Sequence, residues 1–319
     1  MSVFTGSQQK NLFTVMTEVT AIITTHNRLG LLPRALESVL QQTQPLDEII
    51  IVNDGSTDGT QAWLQQQETD VKVINQPQQG ISAARNAAIT AANGQWLAFL
   101  DDDDSWLPDK LEKQLQAIKA NPGYRLCHGE EIWIRNGKRV NAMHKHQKQG
   151  GWIFPQCLPL CVISPSATMI HHSVFDDMGL FDENLPACED YDLWLRFCAI
   201  EPVLFIDTPL ITKYGGHDDQ LSRKYWGMDR FRLQALEKIL DKSELREDYR
   251  KLTLQMLIEK TSIYLKGVKK RNKTDEAEEY ETRLRKYQAL LEQLEDSISA
   301  APLAKDSGHS RRDAPINER

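Results

Sequence analysis

Four consecutive aspartates, Asp101 to Asp104, follow the apolar run Trp96-Leu-Ala-Phe-Leu100. Like charges crowded at the end of a buried strand repel one another, which raises their pKa values and costs stability unless something neutralises them. A hard divalent cation does so, and one that keeps open coordination positions also bridges two phosphates of a ligand. Strand geometry sends side chains i and i+2 to one face, so Asp101 and Asp103 can converge while Asp102 and Asp104 point elsewhere. The plain alternative is a solvated acidic turn. An EF-hand loop fits the acids and Ser105 in spacing, through Asp101, Asp103, Asp109 and Glu112. It fails where the loop needs glycine and the chain has Trp106.

Other charged groups invite the same question. Asp54 opens Asp54-Gly-Ser-Thr-Asp58, where Asp58 reads as the N-cap of a following helix. Asp54 sits at a strand end, where a carboxylate accepts from a base N–H or a ribose hydroxyl. Arg85, among small residues of a helix, reads either as a salt-bridge partner or as a ligand contact. Glu189 and Asp190 begin an amphipathic segment with Leu193, Trp194 and Phe197 inward; helix-dipole stabilisation accounts for one acid more readily than for two.

These residues need a frame. Val19 to Thr25 is a β-branched run, and Leu32, Ala35, Leu36, Val39 and Leu40 then recur at helical spacing. The alternation continues: strand Glu48 to Asn53, helix Asp58 to Gln67, strand Val71 to Asn75, helix Ile81 to Ala92, strand Gln95 to Asp101. Such a pattern predicts an α/β fold whose sheet is largely parallel and buried on both faces. Ligands then sit beyond the carboxyl ends of the strands, where the charged residues cluster. Asn136-Gly137 predicts a hairpin, and Gly150 to Leu210 reads as a mixed α+β half completing the sheet. From Trp226 the pattern is helical. Tyr280, Leu284, Tyr287, Leu291, Leu294 and Ile298 mark a short heptad seam, which serves either a homodimer or packing on the body. The expected division is a polar lead (1–18), an α/β domain (19–222, halves 19–104 and 105–222), a helical region (223–298) and a frayed tail (299–319).

The chain has 319 residues, enough for a full core, with 38 basic and 45 acidic side chains and a net charge of −7. That balance supplies no basic field for a nucleic acid. Five unevenly spaced cysteines and no secretory segment predict reduced thiols and a cytoplasmic protein. The longest apolar run, Ile153 to Ile170, is broken by Pro155, Pro159 and Pro165, so no transmembrane segment is expected. Zinc at Cys157, Cys161, His171 and His172 lacks the usual spacing.

Taken in order, Ile22-Ile-Thr-Thr-His-Asn-Arg28, Glu48 to Asp58, Gly80-Ile-Ser-Ala-Ala-Arg-Asn86, Phe99 to Trp106, Gly179-Leu-Phe-Asp-Glu183 and Glu189 to Arg196 resemble the family 2 glycosyltransferases of GT-A fold. The resemblance covers roughly Val19 to Ser222. It implies inverting transfer of a sugar from a nucleotide-diphosphate sugar to an acceptor hydroxyl. It also implies roles. Asp54 and Arg85 would hold the donor base, with Thr24, His26 and Arg28 lining the pocket. Asp101 and Asp102 would contact the nucleotide, and Asp103, with Asp101, would bind Mg²⁺ or Mn²⁺. Asp190 would be the general base, with Glu189 beside it raising its pKa. His217, after the glycine pair of Lys213-Tyr-Gly-Gly-His217, would be a further metal or phosphate contact. Asn53 departs from the pattern, standing where a second acid is common in relatives.

Two other classes compete. A sugar-phosphate nucleotidyltransferase wants a glycine-rich basic loop near the amino terminus, and the chain has Thr24-Thr-His-Asn-Arg-Leu-Gly30 instead. A non-catalytic binding module needs no base, which Asp190 argues against. Asp54 and Arg85 suit a uracil-like edge, which thymine also presents, and guanine stays open beside them; a UDP-sugar is favoured. The acceptor is expected to be a carbohydrate or lipid-linked glycan in surface polysaccharide or lipopolysaccharide synthesis, reached at the inner face of a membrane by peripheral contact.

Overall fold

The computed structural model describes residues 18–67, 70–141, 147–216 and 225–300. Its first half is the expected alternation: β1 (Val19–Thr25), α1 (Leu32–Leu40), β2 (Glu48–Asp54), α2 (Thr60–Gln65), β3 (Lys72–Gln76), α3 (Ile81–Ala91) and β4 (Trp96–Asp101). The chain then runs through β5 (Ser105–Trp106), α4 (Lys110–Ala120), β6 (Leu126–Arg135), β7 (Lys138–Val140), α5 (Phe154–Cys157), β8 (Met169–His171), α6 (Ser173–Met178), α7 (Glu189–Cys198) and β9 (Leu204–Gly215). Three helices end it: α8 (Asp229–Leu240), α9 (Glu247–Lys270) and α10 (Thr274–Ala300).

All described strands join one sheet in the order β3-β2-β1-β4-β8-β6-β9-β5, with β7 on β6. The β3-β2-β1-β4 half is wholly parallel. The other half is mixed: β8 runs antiparallel to β4 and β6, while β6 and β9 run parallel. Alternate residues of each central strand point to opposite faces. Ile22, Ile50, Val52, Leu97 and Phe99 enter one buried cluster with α3 and α7. Ala21, Ile23, Ile49, Ile51, Ala98 and Leu100 enter another with α1 and α4. Both faces are thus covered, and the polar groups at the strand ends open only at the carboxyl rim.

Differences from the sequence reading are local. Gly59, in a left-handed conformation (φ 95°), is the N-cap of α2, while Asp58 accepts the Thr60 amide and also the Leu29 amide. The mixed half ends in one long strand, β9 (Leu204–Gly215), which runs past Leu210 and whose pairing with β6 slips around Glu130. Asn136 and Gly137 turn the β6–β7 hairpin, both at positive φ.

The heptad seam on α10 faces its own chain. Tyr287 is 2% exposed and its hydroxyl donates to Glu237 of α8. Tyr280 packs 4.5 Å, centroid to centroid, from Tyr264 of α9, and α8 to α10 share the apolar cluster of α7. The short seam reflects intramolecular packing. Emptying the Tyr287 site therefore tests the body contact: Tyr287→Ala should lower unfolding stability by about 3 kcal/mol in a urea titration. The midpoint of the wild type should be independent of protein concentration; a concentration-dependent midpoint would instead favour the dimer.

Candidate active site

The carboxyl rim of β1, β2 and β4 holds the expected charges. The Asp101–Asp104 turn closes with the Asp104 amide donating to the Asp101 carbonyl at 3.0 Å. Exposure alternates along the turn: Asp102 and Asp104 are buried at 7% and 1% exposure, whereas Asp101 and Asp103 are partly open. Asp104 is structural, accepting from the Ser166 hydroxyl at 2.7 Å and the Tyr214 amide at 3.1 Å. Burial holds its carboxyl well above the usual range. The Ser166 hydroxyl also accepts from the Asp101 amide.

Arginines neutralise much of the turn. Arg28 reaches Asp103 at 2.8 Å and Asp102 at 3.4 Å. Burial pushes the Asp102 carboxyl up to about 7 against the pull of Arg28. Arg28 and Asp102, expected to line the nucleotide pocket, thus serve each other. Arg34 donates to the Asp103 carbonyl and lies 3.7 Å over the Tyr214 ring.

Arg85 forms the salt bridge that is one of the two readings of its sequence position. It is 2% exposed and spans two acids, donating to Asp101 at 2.7 Å and to Glu189 at 2.6 Å. Its guanidinium therefore pins the end of β4 to the start of α7. Asn86, the next residue, repeats the link by bonding the Phe181 backbone on both its amide atoms. Cys188, at positive φ (64°), turns the chain into α7 so that Glu189 and Asp190 face this junction.

Asp54 is buried, and its carboxylate already accepts three bonds: the Gln76 side chain and the Gln79 amide on Oδ1, and the Gly80 amide on Oδ2. A carboxylate has about four acceptor positions, so one direction on Oδ2 remains for a ligand, and the main duty of Asp54 is to hold the loop into α3. Gly55 (φ 70°) is required there, since a Cβ would stand 2.6 Å from the Gln78 nitrogen. His26 Nδ1 lies 2.6 Å from the Asp54 carbonyl, which assigns the proton to Nδ1. Thr24 is buried in β1 beside Val52. Asn53 replaces an acid usefully, donating to Asn75 and accepting from the Ser56 amide.

Asp190 is half-buried. Its Oδ1 accepts the Tyr191 amide at 2.7 Å, and its Oδ2 accepts the Cys161 thiol at 3.2 Å. Burial first, then the like charge of Asp190, push the Glu189 carboxyl up to about 7, against the pull of Arg85. Lys213 of β9, which sequence reasoning passed over, is a further charge here; Glu131, Asp104, Asp101 and Asp190 act on it, and its ammonium donates to Ser164. His217 lies outside the described residues.

Among the described residues, no group of three or more His, Cys, Asp or Glu is arranged to hold an ion. Asp101 and Asp103 are each partly exposed and each ion-paired, with Arg85 and Arg28 respectively.

A parallel α/β half whose strand ends carry a polar rim, joined to a mixed half that brings in an acidic helix start, is the GT-A type of fold. The chain belongs to glycosyl transferase family 2, whose model matches residues 20–178. Over 197 residues it is 33% identical to a Rickettsia felis protein named as an uncharacterized glycosyltransferase, covering 61% of this chain and 32% of that one. Over 102 residues it is 43% identical to Bacillus subtilis TuaG, whose name assigns it to teichuronic acid biosynthesis, covering 31% and 40% respectively. The chain thus spans about a third to two fifths of the length of these relatives. Among solved structures it matches S. aureus TarS 1-349 in complex with UDP-GlcNAc, with a TM-score of 0.64 at 16% identity over 88% of this chain and 91% of that one.

The Glu189 environment yields a pH prediction. An ordinary carboxyl of this type titrates near 4.5 and the folded one near 7, so between those values the folded chain holds the extra proton. This contribution favours the fold at the acid end and is lost as pH rises through about 7. Glu189→Gln keeps an acceptor for Arg85 but removes the titration. Its melting temperature should therefore fall less steeply than that of wild type between about pH 5 and 7.5 in scanning calorimetry, and identical slopes would contradict the assignment.

Proposed function

We propose that the chain is an inverting glycosyltransferase that moves a sugar from a nucleoside-diphosphate sugar, a UDP-sugar by preference, to an acceptor hydroxyl of a surface polysaccharide or lipid-linked glycan. The observation that carries this reading is the Arg85 bridge, because it ties the aspartate turn to the acid pair of α7. An acidic turn for the diphosphate and a carboxylate for the acceptor then share one cleft.

The chemistry follows from the parts. A sugar hydroxyl is a poor nucleophile, so Asp190 takes its proton as the acceptor oxygen bonds to the anomeric carbon. The bond from that carbon to the phosphate oxygen breaks, and its electron pair leaves with the diphosphate. One base suffices for inversion. Asp103, with Asp101 beside it, would hold Mg²⁺ or Mn²⁺, which offsets the charge growing on the leaving group. Asp54, through its remaining acceptor direction, and the His26 and Thr24 wall suit the base. TuaG's name and the UDP-GlcNAc bound by TarS support the polysaccharide setting and the uridine preference. Among the described residues no helix is long and apolar enough to cross a membrane; a glycan precursor at the cytosolic face of a membrane suits such a chain. The rival binding-module reading leaves Asp190 without a purpose.

Two variants separate the steps. Asp190→Asn should bind UDP and Mn²⁺ as wild type does while turnover falls by at least about a hundredfold, the usual range for a lost general base. Normal turnover would remove Asp190 from this role. Asp103→Ala should weaken UDP binding in calorimetry with Mn²⁺ present and change it little in EDTA; equal losses in both media would mean that Asp103 does not act through a cation. A wild type that transfers nothing across a donor panel would favour the binding module.

A further inference from the structure

We propose that Lys213 is the protein's own cation for the donor diphosphate, its ammonium contacting phosphate oxygen as the sugar departs. The inference deepens the glycosyl-transfer reading and rests on it. Lys213 lies near the carboxyl end of β9, paired in register with Trp133 of β6. Its neighbours fasten it to the aspartate turn from both sides. Thr212 pairs with Ser105, the residue directly after the turn, and the Tyr214 amide donates to Asp104 Oδ1 at 3.1 Å. The side chain is half-buried and its Nζ donates to Ser164 Oγ at 2.8 Å. Ser164 itself stands two residues before Ser166, whose hydroxyl holds both the Asp101 amide and Asp104.

The charges around Lys213 separate this role from simple neutralisation. Arg85 is committed to Asp101 and Glu189, and Arg28 is engaged with Asp102 and Asp103. Glu131 is paired with Lys148 at 2.8 Å. Lys213, by contrast, gives its hydrogen bond to a neutral hydroxyl, which takes one of the three ammonium protons. Glu131, Asp104, Asp101 and Asp190 act on it through space and outweigh its burial, holding it protonated. A permanent cation is thereby presented at the junction of the turn and the acid pair. That is where a leaving diphosphate gains negative charge, and charge-assisted bonds to phosphate are the strong kind.

The test compares a nucleoside diphosphate with its monophosphate by calorimetry, in Mn²⁺ and in EDTA, for whichever of uridine, thymidine or guanosine wild type binds best. Lys213→Met should weaken the diphosphate about tenfold in both media and the monophosphate by less than about twofold. Lys213→Arg, which keeps the charge, should hold the diphosphate within about threefold of wild type. Unchanged diphosphate affinity, or equal losses of both nucleotides, would overturn the assignment while leaving the general reading intact. Should the methionine variant lack a native melting transition, wild type decides. Reductive methylation of Lys213, read by peptide mass spectrometry, is expected to slow with diphosphate and not with monophosphate; equal labelling overturns the proposal. A wild type that binds none of the diphosphates would remove the glycosyl-transfer reading, and this one with it.

Discussion

One guanidinium ties the aspartate turn to the acid pair of α7. Arg85 is buried beneath the rim with Asp101 on one side and Glu189 on the other, joining residues separated by 16 and 104 positions in the chain. A buried cation of this kind is expensive unless its partners are well placed, and removing one partner strands the other. Nearby, one cation faces three acids, Asp101, Glu189 and Asp190, all of which act on it. Burial first, and then the surplus negative charge at Asp190, raise the Glu189 carboxyl. The same surplus makes the cleft receptive to a further cation, whether Lys213 of the chain itself or a metal ion accompanying the donor.

The two halves of the sheet contribute differently to this arrangement. The parallel half presents strand ends at one rim, so Thr24, Asp54 and Asp101 arrive together by topology alone. The mixed half brings α7 to the same rim and lays β9 beside the turn, where Ser166 and Tyr214 brace it. The carboxy-terminal helices back α7 from the far side through the shared apolar cluster. Helix α7 is thus held from behind by hydrophobic packing and from in front by Arg85, which fixes where Asp190 stands.

Much of this frame was legible in the residues. The β-branched runs of β1 and β2 and the apolar run of β4 mark buried parallel strands, and charges at their ends mark the rim. The pairing of the more exposed Asp101 and Asp103 against the buried Asp102 and Asp104 matches the i, i+2 expectation, although the strand ends at Asp101 and a turn sets the last three. Partners were harder to read. Arg85 in a small-residue helix has no local signal for acids so far away in the chain, and the three bonds already made by Asp54 belong to a loop fold that composition does not encode. Lys213 was passed over because Pro209 interrupts the strand pattern and a pairing slip offsets β9 from β6. The heptad period on α10 defines an apolar face but not what covers it; Tyr264 and Glu237 of the same chain do so.

The central claim is that the aspartate turn and the acid pair of α7 bound a single reaction cleft. It is tested most directly by a crystal structure of the chain with UDP and Mn²⁺. The account predicts the diphosphate seated against the Asp101–Asp104 turn, with the Asp190 carboxylate facing the same space across Arg85. A nucleotide bound away from that turn, or an Asp190 turned from the diphosphate with protein between them, would contradict it.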